Sequence, residues 1–509
     1  MKKVLSMILV VMMVLSTLVI TAYAADDATP YSGTPAEQWW KKANKNIEIK
    51  NADELVCVLQ KLDSGERFSG KTIKLTANIV LNDGDASKWE TSAPKYNLGE
   101  LVTGVGTFEG TFDGQGHTIS GIYNNRMSPE GYVPTEGWSG KVQTYGCVGL
   151  FPNLGAAAKV TNLRITNSYF TACYATGAVA GRVVGDNVVI ENVQVDNSKV
   201  FATYIQTGDA TKGDVLGGEY EKHCSSGGIV GMTSGNVTLT FKNVLFQGTV
   251  AGGGRFVGGI CGNMQKSHLI LDNVGFIGVY ESFYSRYYSG QYLFKENSGG
   301  LIGRVSDAID TEKGAIIDNC FFIGHFKANE KSTTSGLLSG RCDLCTATDF
   351  YANDDAYTSL LGTTDCKDTN DEKECHFEKL SVLQGSKSVQ TIGLSSDIWY
   401  AKENMGPMLK VFQAEADKEV TSAKATEAQQ APGETPTQAP KTETPASSNQ
   451  ATQSQQQGDT PATQAPATKS SSKRTRRQSA DTGDITTYMI AAVVVSAAAA
   501  VVISKSRKA

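Results

Sequence analysis

Histidine is scarce in this chain: there are five in 509 residues, and no two stand at a spacing that could share a metal ion. That leaves little for imidazole-based acid–base or metal chemistry. No phosphate-cradling or nucleophile motif is present. A basic excess is missing too. Lys and Arg total 47 against 52 Asp and Glu, and the resulting net charge of −5 discourages nucleic-acid binding. No cofactor and no metal site is expected. Long apolar runs are confined to the two ends, and residues 413–478 contain no aromatic residue, no Leu and no Ile.

The ends carry addresses. Lys2 and Lys3 precede an apolar run from Val4 to about Ile20, and Ala22-Tyr23-Ala24 follows. A charged start, an apolar core and small residues at Ala22 and Ala24 read as a secretory signal peptide over 1–24, cleaved before Ala25. At the other end Ile485–Ile503 is a 19-residue apolar stretch, followed by Lys505, Arg507 and Lys508. Its length suits a membrane-spanning helix, and the basic tail suits the cytoplasmic side.

Just before that span stands Ser479-Ala480-Asp481-Thr482-Gly483. Region 479–509 resembles the cell-wall sorting signals of Gram-positive surface proteins: a pentapeptide ending Thr-Gly, an apolar span and a basic tail. Those signals open with Leu-Pro, where this one has Ser479-Ala480. The resemblance implies a sortase that cuts between Thr482 and Gly483 and passes the Thr482 carbonyl to an amine of peptidoglycan. The helix would hold the chain in the membrane before sorting. Residues 413–478 are Thr-, Pro-, Ala-, Gln- and Ser-rich and cannot bury enough apolar surface to fold. A flexible coil of that length reaches about 40–50 Å, which suits a spacer through the wall.

What remains is a lead segment, 25–50, and a repetitive domain, 51–412. A Gly-apolar-apolar-Gly signature recurs at Gly177–Gly181, Gly228–Gly231, Gly259–Gly262, Gly300–Gly303 and Gly336–Gly340. Roughly a dozen residues after most copies comes Asn followed by a small apolar residue: Asn162-Leu163, Asn192-Val193, Asn243-Val244, Asn273-Val274 and Asn319-Cys320. Short β-type runs separated by Gly and Asn at fixed phase suit parallel strands stacked in a solenoid. Gly is expected at tight positive-φ corners, and Asn amides are expected to ladder from coil to coil. Asn51 caps a helical period running to Leu62, expected to plug the N-terminal mouth.

These copies resemble the GLUG repeats of Gram-positive exported proteins. The resemblance implies an all-β, right-handed parallel β-helix, closed in similar proteins by a pattern such as Ile398-Trp399.

Chemistry is thin on this frame. Asp113-Gly-Gln-Gly-His117 places an Asp near a His, but reads as a turn between strands. Asp354-Asp355 lies in a polar stretch without the apolar alternation of a strand face. Cys57, Cys261 and Cys320 fall at apolar positions and read as packing residues. Cys342, Cys345, Cys366 and Cys375 leave disulfides, free thiols and a metal knuckle open. More informative are the insertions at 123–145, 201–226, 280–298 and 325–335, all at one phase of the repeat. In a solenoid such insertions emerge on one side, a common binding face. They are rich in aromatics, and Trp138, Tyr284, Tyr287, Tyr288 and Tyr292 are the candidate ligand contacts, suited to stacking on sugars or to protein contact. The expectation is a surface-anchored adhesin or a glycan- or protein-binding module. A wall-attached polysaccharide-degrading enzyme and a ligand-free stalk are the alternatives.

Overall fold

The computed structural model describes residues 28–41, 46–126, 146–172, 174–202, 224–252, 256–282, 286–288, 291–293, 297–306, 314–327, 335–342, 345–354 and 375–414. Within them the chain is an all-β parallel solenoid built from sheets of sixteen, seven and six strands. The sixteen-stranded sheet bends at two corners, so one strand, such as Val188–Ala202, contributes three short faces in succession. Two shorter strands complete the coil: Ser225–Gly227 in the six-stranded sheet and Val230–Thr233 in the seven-stranded sheet. Each coil repeats this order.

Asn makes the first corner. Asn162, Asn192, Asn243, Asn273 and Asn319 have φ between 48° and 56°, and Asp349 continues the series at 52°. The left-handed region is where Asn and Asp are tolerated best among residues with a Cβ. Their side chains also link coils. Nδ2 of Asn162 donates to Oδ1 of Asp113 (3.0 Å), Asn192 to Asn162 (3.1 Å) and Asn243 to Asn192 (3.0 Å). The ladder stops there. Asn273 turns its Nδ2 to Asp272 at 2.7 Å, and Oδ1 of Asn243 is left without a partner.

The repeating glycines are explained differently from expectation. None of Gly177, Gly228, Gly259 or Gly300 has positive φ. They are required because a Cβ at Gly228 would collide with the carbonyl of Gly259, one at Gly259 with that of Gly300, and one at Gly300 with that of Leu337. Each also faces an aromatic ring: Phe246, Phe276 and Phe322 respectively. Those three rings stack across the interior, with centroids 5.8 and 5.0 Å apart. The repeat thus trades a side chain for an interior phenylalanine on the opposite wall.

The N-terminal mouth is plugged as expected. Helix Ala52–Asp63 is capped by Asn51, whose side chain accepts from the Glu54 N–H, while Glu54 Oε2 accepts from the Lys50 N–H at 2.8 Å. Leu55, Val56, Val58, Leu59 and Leu62 join the main core. Strand Asn46–Ile49, inside the lead segment, lies at the end of the sheet and pairs with Thr72–Leu75.

The C-terminal segment, with Ile398-Trp399, packs on the flank of the solenoid. After strand Cys375–Glu378 the chain forms a strap from Leu380 to Phe412 that runs back along the outside. Its Leu383, Ile392, Leu394, Trp399, Met408, Leu409 and Phe412 pack on outward-facing Leu245, Ile277, Phe321 and Ile323 in a cluster separate from the main core.

Candidate functional site: the loop-bearing edge

Six connections leave the third face of the large sheet and return in the six-stranded sheet, the shortest of them the two residues between Tyr169–Ala172 and Ala175–Thr176. Tyr123–Asn125 leads to Cys147–Val148, Val188–Ala202 to Ser225–Gly227, and Val237–Gly252 to Phe256–Gly258. Further on, Ser267–Ser282 leads to Asn297–Gly299 and Phe321–Lys327 to Ser335–Gly336. Both sets of strands are stacked in parallel register, so every one of these connections opens from the same edge. Two coils close with only two and three residues, 173–174 and 253–255, while the others take more. The frame therefore does not need long connections at this edge.

The fifth connection, after Ser267–Ser282, contains an antiparallel hairpin, Arg286–Tyr288 with Gln291–Leu293. Tyr287 pairs with Tyr292 and Tyr288 with Gln291 across it. Three of the five candidate tyrosine and tryptophan positions are thus brought into one small element. Trp138 and Tyr284 lie outside the described residues, as do Ala22, Ala24 and the sorting sequence Ser479, Ala480, Asp481, Thr482 and Gly483.

Tyr280 belongs to the core rather than to this insertion. It follows the corner glycine Gly278 by two residues, in the inward column Val200–Val250–Tyr280–Phe326. Its ring stacks on Phe326 with centroids 4.5 Å apart, and its hydroxyl donates to the Val257 carbonyl at 2.8 Å. Tyr123 is buried as well. It stacks on Tyr169 at 5.7 Å and meets Trp89 edge-on at 6.0 Å. The strands extend further toward the edge than hydropathy alone indicates, and these aromatics root the connections instead of projecting from them.

Beside the edge, Lys199 pairs with Glu90 and lies over the rings of Tyr169 and Phe201, at 6.0 and 5.5 Å. On the six- and seven-stranded sheets Cys147, Tyr174, Ala175 and Met232 form a small buried cluster outside the main core. Burial pushes the Tyr174 phenol well above its ordinary range, so it stays neutral.

The remaining candidates resolve as follows. Asp113-Gly-Gln-Gly-His117 is a turn between strands Thr111–Asp113 and Thr118–Ser120, with the His117 N–H donating to the Gly114 carbonyl at 2.7 Å. Asp354 lies in the turn after strand Phe350–Asn353, and Asp355 lies outside the described residues. Cys57, Cys261 and Cys320 are buried, and burial raises all three thiols. Cys342 and Cys345 are joined in a disulfide with Cα atoms 5.9 Å apart, which occupies two of the four candidate knuckle ligands. Cys366 lies outside the described residues, and Cys375 is half-buried. Among the described residues no group of three or more His, Cys, Asp or Glu could hold a metal ion, and no helix is long and apolar enough to cross a membrane. The apolar stretch Ile485–Ile503 is not among them.

The fold defines a parallel β-solenoid protein with an insertion-bearing edge. No protein-family model matches the chain, and no characterised protein matches it in sequence. Among solved structures it is similar to a Bacteroides ovatus protein described as a candidate immunoglobulin A1 protease. The two share 13% identity with a TM-score of 0.36, over 76% of this chain and 95% of that one. A likeness at that level carries no argument about activity.

Proposed function

We propose that this chain is a cell-surface display protein whose insertion-bearing edge binds a glycan or protein ligand. The observation that carries the reading is the common origin of the insertions. Two coils cross the edge with 173–174 and 253–255 alone, so the longer connections are additions to the frame, and they collect aromatic residues. Repeat proteins commonly place recognition on such a face, and tyrosine supplies a rigid apolar ring with a polar handle.

Export and retention complete the reading. Residues 1–24 direct secretion, and the solenoid is a right-handed β-helix of the GLUG type, the hand that parallel crossovers adopt. Residues 413–478 span the wall, and a sortase joins Thr482 to peptidoglycan. Cell fractionation of wild type and Thr482→Ala tests this: the variant should move from the wall to the membrane fraction, and unchanged wall attachment contradicts sorting. Ligand binding is tested with glycan and mucin arrays, comparing the secreted chain with a Tyr284→Ala, Tyr287→Ala, Tyr288→Ala triple variant. The variant should lose binding. Equal binding refutes the tyrosine assignment, and product release from acidic polysaccharides would favour an enzyme instead.

A further inference from the structure

A solenoid coil contacts only its neighbours, so tension on a chain end that leaves the last coil strips coils off one at a time. This chain does not leave from its last coil. Beyond strand Cys375–Glu378 it returns along the flank, and the contacts of the strap follow a steady order. Gly393 lies beside Asn319, 3.6 Å from Cβ position to Oδ1, and Trp399 meets the ring of Phe321 at 5.9 Å. Gly406 lies against Ile277, and the Leu409 N–H donates to Gln194 Oε1 at 3.1 Å. Finally Val411 Cγ2 stands 3.6 Å from the Cβ position of Gly116, in the turn after strand Thr111–Asp113. From Asn319 to Gly116 the strap crosses five coil steps, roughly 24 Å at the ordinary strand spacing.

The surface beneath the strap is shaped to receive it. In the register columns that run outward on this face, Arg164, Thr166, Gln194 and Asp196 give way to Leu245, Ile277, Phe321 and Ile323 in later coils. The apolar region receives the strap's side chains. In the polar region, Asp196 accepts from Arg164 Nε at 2.7 Å, Arg164 Nη2 at 3.0 Å, Thr166 at 2.5 Å and Gln194 Nε2 at 2.8 Å. That network fixes the Gln194 amide whose oxygen receives Leu409.

We infer that the strap Leu380–Phe412 is a load-bearing clamp that carries tension from the C-terminal tether into the flank of the solenoid and spares the last coil. The inference rests on the C-terminal tether proposed above. When the C-terminal coils are held and Phe412 is drawn toward the N-terminal end, the pull runs along the strap. Every contact is then loaded at once, in shear. The same contacts pulled outward break in sequence, each bearing the load alone.

Optical-tweezers pulling on the purified chain from residue 25 to 482 tests this, with one handle at the C-terminus. The second handle is a click-reactive residue at exposed position 346 near the far end, or at exposed position 64 beside the N-terminal plug. Held at 346, the wild type should resist to a single rupture; held at 64, the strap should detach at a lower force. Trp399→Ala and, as a milder variant outside the strap, Gln194→Ala should lower the rupture held at 346. One lengthening of roughly 100 Å should follow, from the about 30 extended residues between that handle and the strap, whereas held at 64 the detached strap should be followed by successive lengthenings of that size. Coil-sized steps in the wild type from the lowest forces, or equal forces for both handle positions, overturn the clamp. Because the measurement uses purified chain, it is independent of the fractionation that tests wall attachment.

Discussion

The backbone N–H of Leu409 donates to the side-chain oxygen of Gln194 at 3.1 Å, joining residues 215 apart in sequence. It marks where the last segment of the solenoid domain lies across one of the earlier coils, and several expectations follow from that placement.

Trp399 is buried at 1% exposure, edge-on to Phe321. Trp399→Ala should cost about 3–5 kcal/mol, the range for truncating a large buried aromatic. Ending the chain at residue 379 should do more. It uncovers Leu245, Ile277, Phe321 and Ile323 as a continuous apolar stripe, and the truncated protein should self-associate. Thermal denaturation and light scattering check the two effects.

The Arg164–Asp196 pair is nearly inaccessible, with side-chain exposures of 3% and 8%. Asp196→Ala leaves the guanidinium buried without its carboxylate and should cost about 3–5 kcal/mol. An Arg164→Met, Asp196→Leu double variant should recover much of that loss. Urea unfolding of Asp196→Ala and the double variant gives the comparison.

Asn192 has φ of 52°, donates to Asn162 and accepts from Asn243. Replacement by Gly loses both bonds but keeps a backbone at ease in the left-handed region. Replacement by Ala loses the bonds and adds strain of about 1–2 kcal/mol. Ala should therefore be the more destabilising of the two, as read from the urea midpoint. Gly259→Ala should be worse than either, by overpacking of about 3 kcal/mol or more, since its Cβ meets the Gly300 carbonyl and the Phe276 ring. Gly235→Ala is the control: φ is 93° but nothing stands within 4 Å, so only about 1–2 kcal/mol of backbone strain applies.

Burial raises the thiols of Cys57, Cys261 and Cys320, with desolvation the leading cause in each. The thiolate is the reactive form. Native protein at pH 8 should leave these three unlabelled by iodoacetamide, and denaturant should make all three react. Peptide mass mapping reads the result.

Much of the frame was legible in the sequence because a solenoid writes itself periodically. Asn162, Asn192, Asn243, Asn273 and Asn319 mark one corner in every coil, and Asn51 marks the plugging helix. The Gly-apolar-apolar-Gly copies were visible too, but their reason was not. Their φ is ordinary, and the constraint is the backbone of the next coil, a contact between residues some 30–40 positions apart that local pattern does not encode. The strap was hidden for a related reason: Trp399 and Leu409 look like the end of a repeat, and only the alternation of Leu245 and Ile277 on the outer face hints that something must cover them. Tyr280 was misplaced because aromatic density in 280–294 looks continuous, while the strand register turns that one ring inward.

The central claim is that the insertion-bearing edge binds ligand while the solenoid serves as its frame. The most direct measurement replaces residues 283–296 with a three-residue Gly-Ser-Gly turn, the length with which 253–255 crosses the same edge, and compares mucin and glycan binding by cells displaying either chain. The account predicts an unchanged melting temperature for the purified domain and loss of binding to the ligand that the parent chain retains. Full binding by the shortened chain would contradict it.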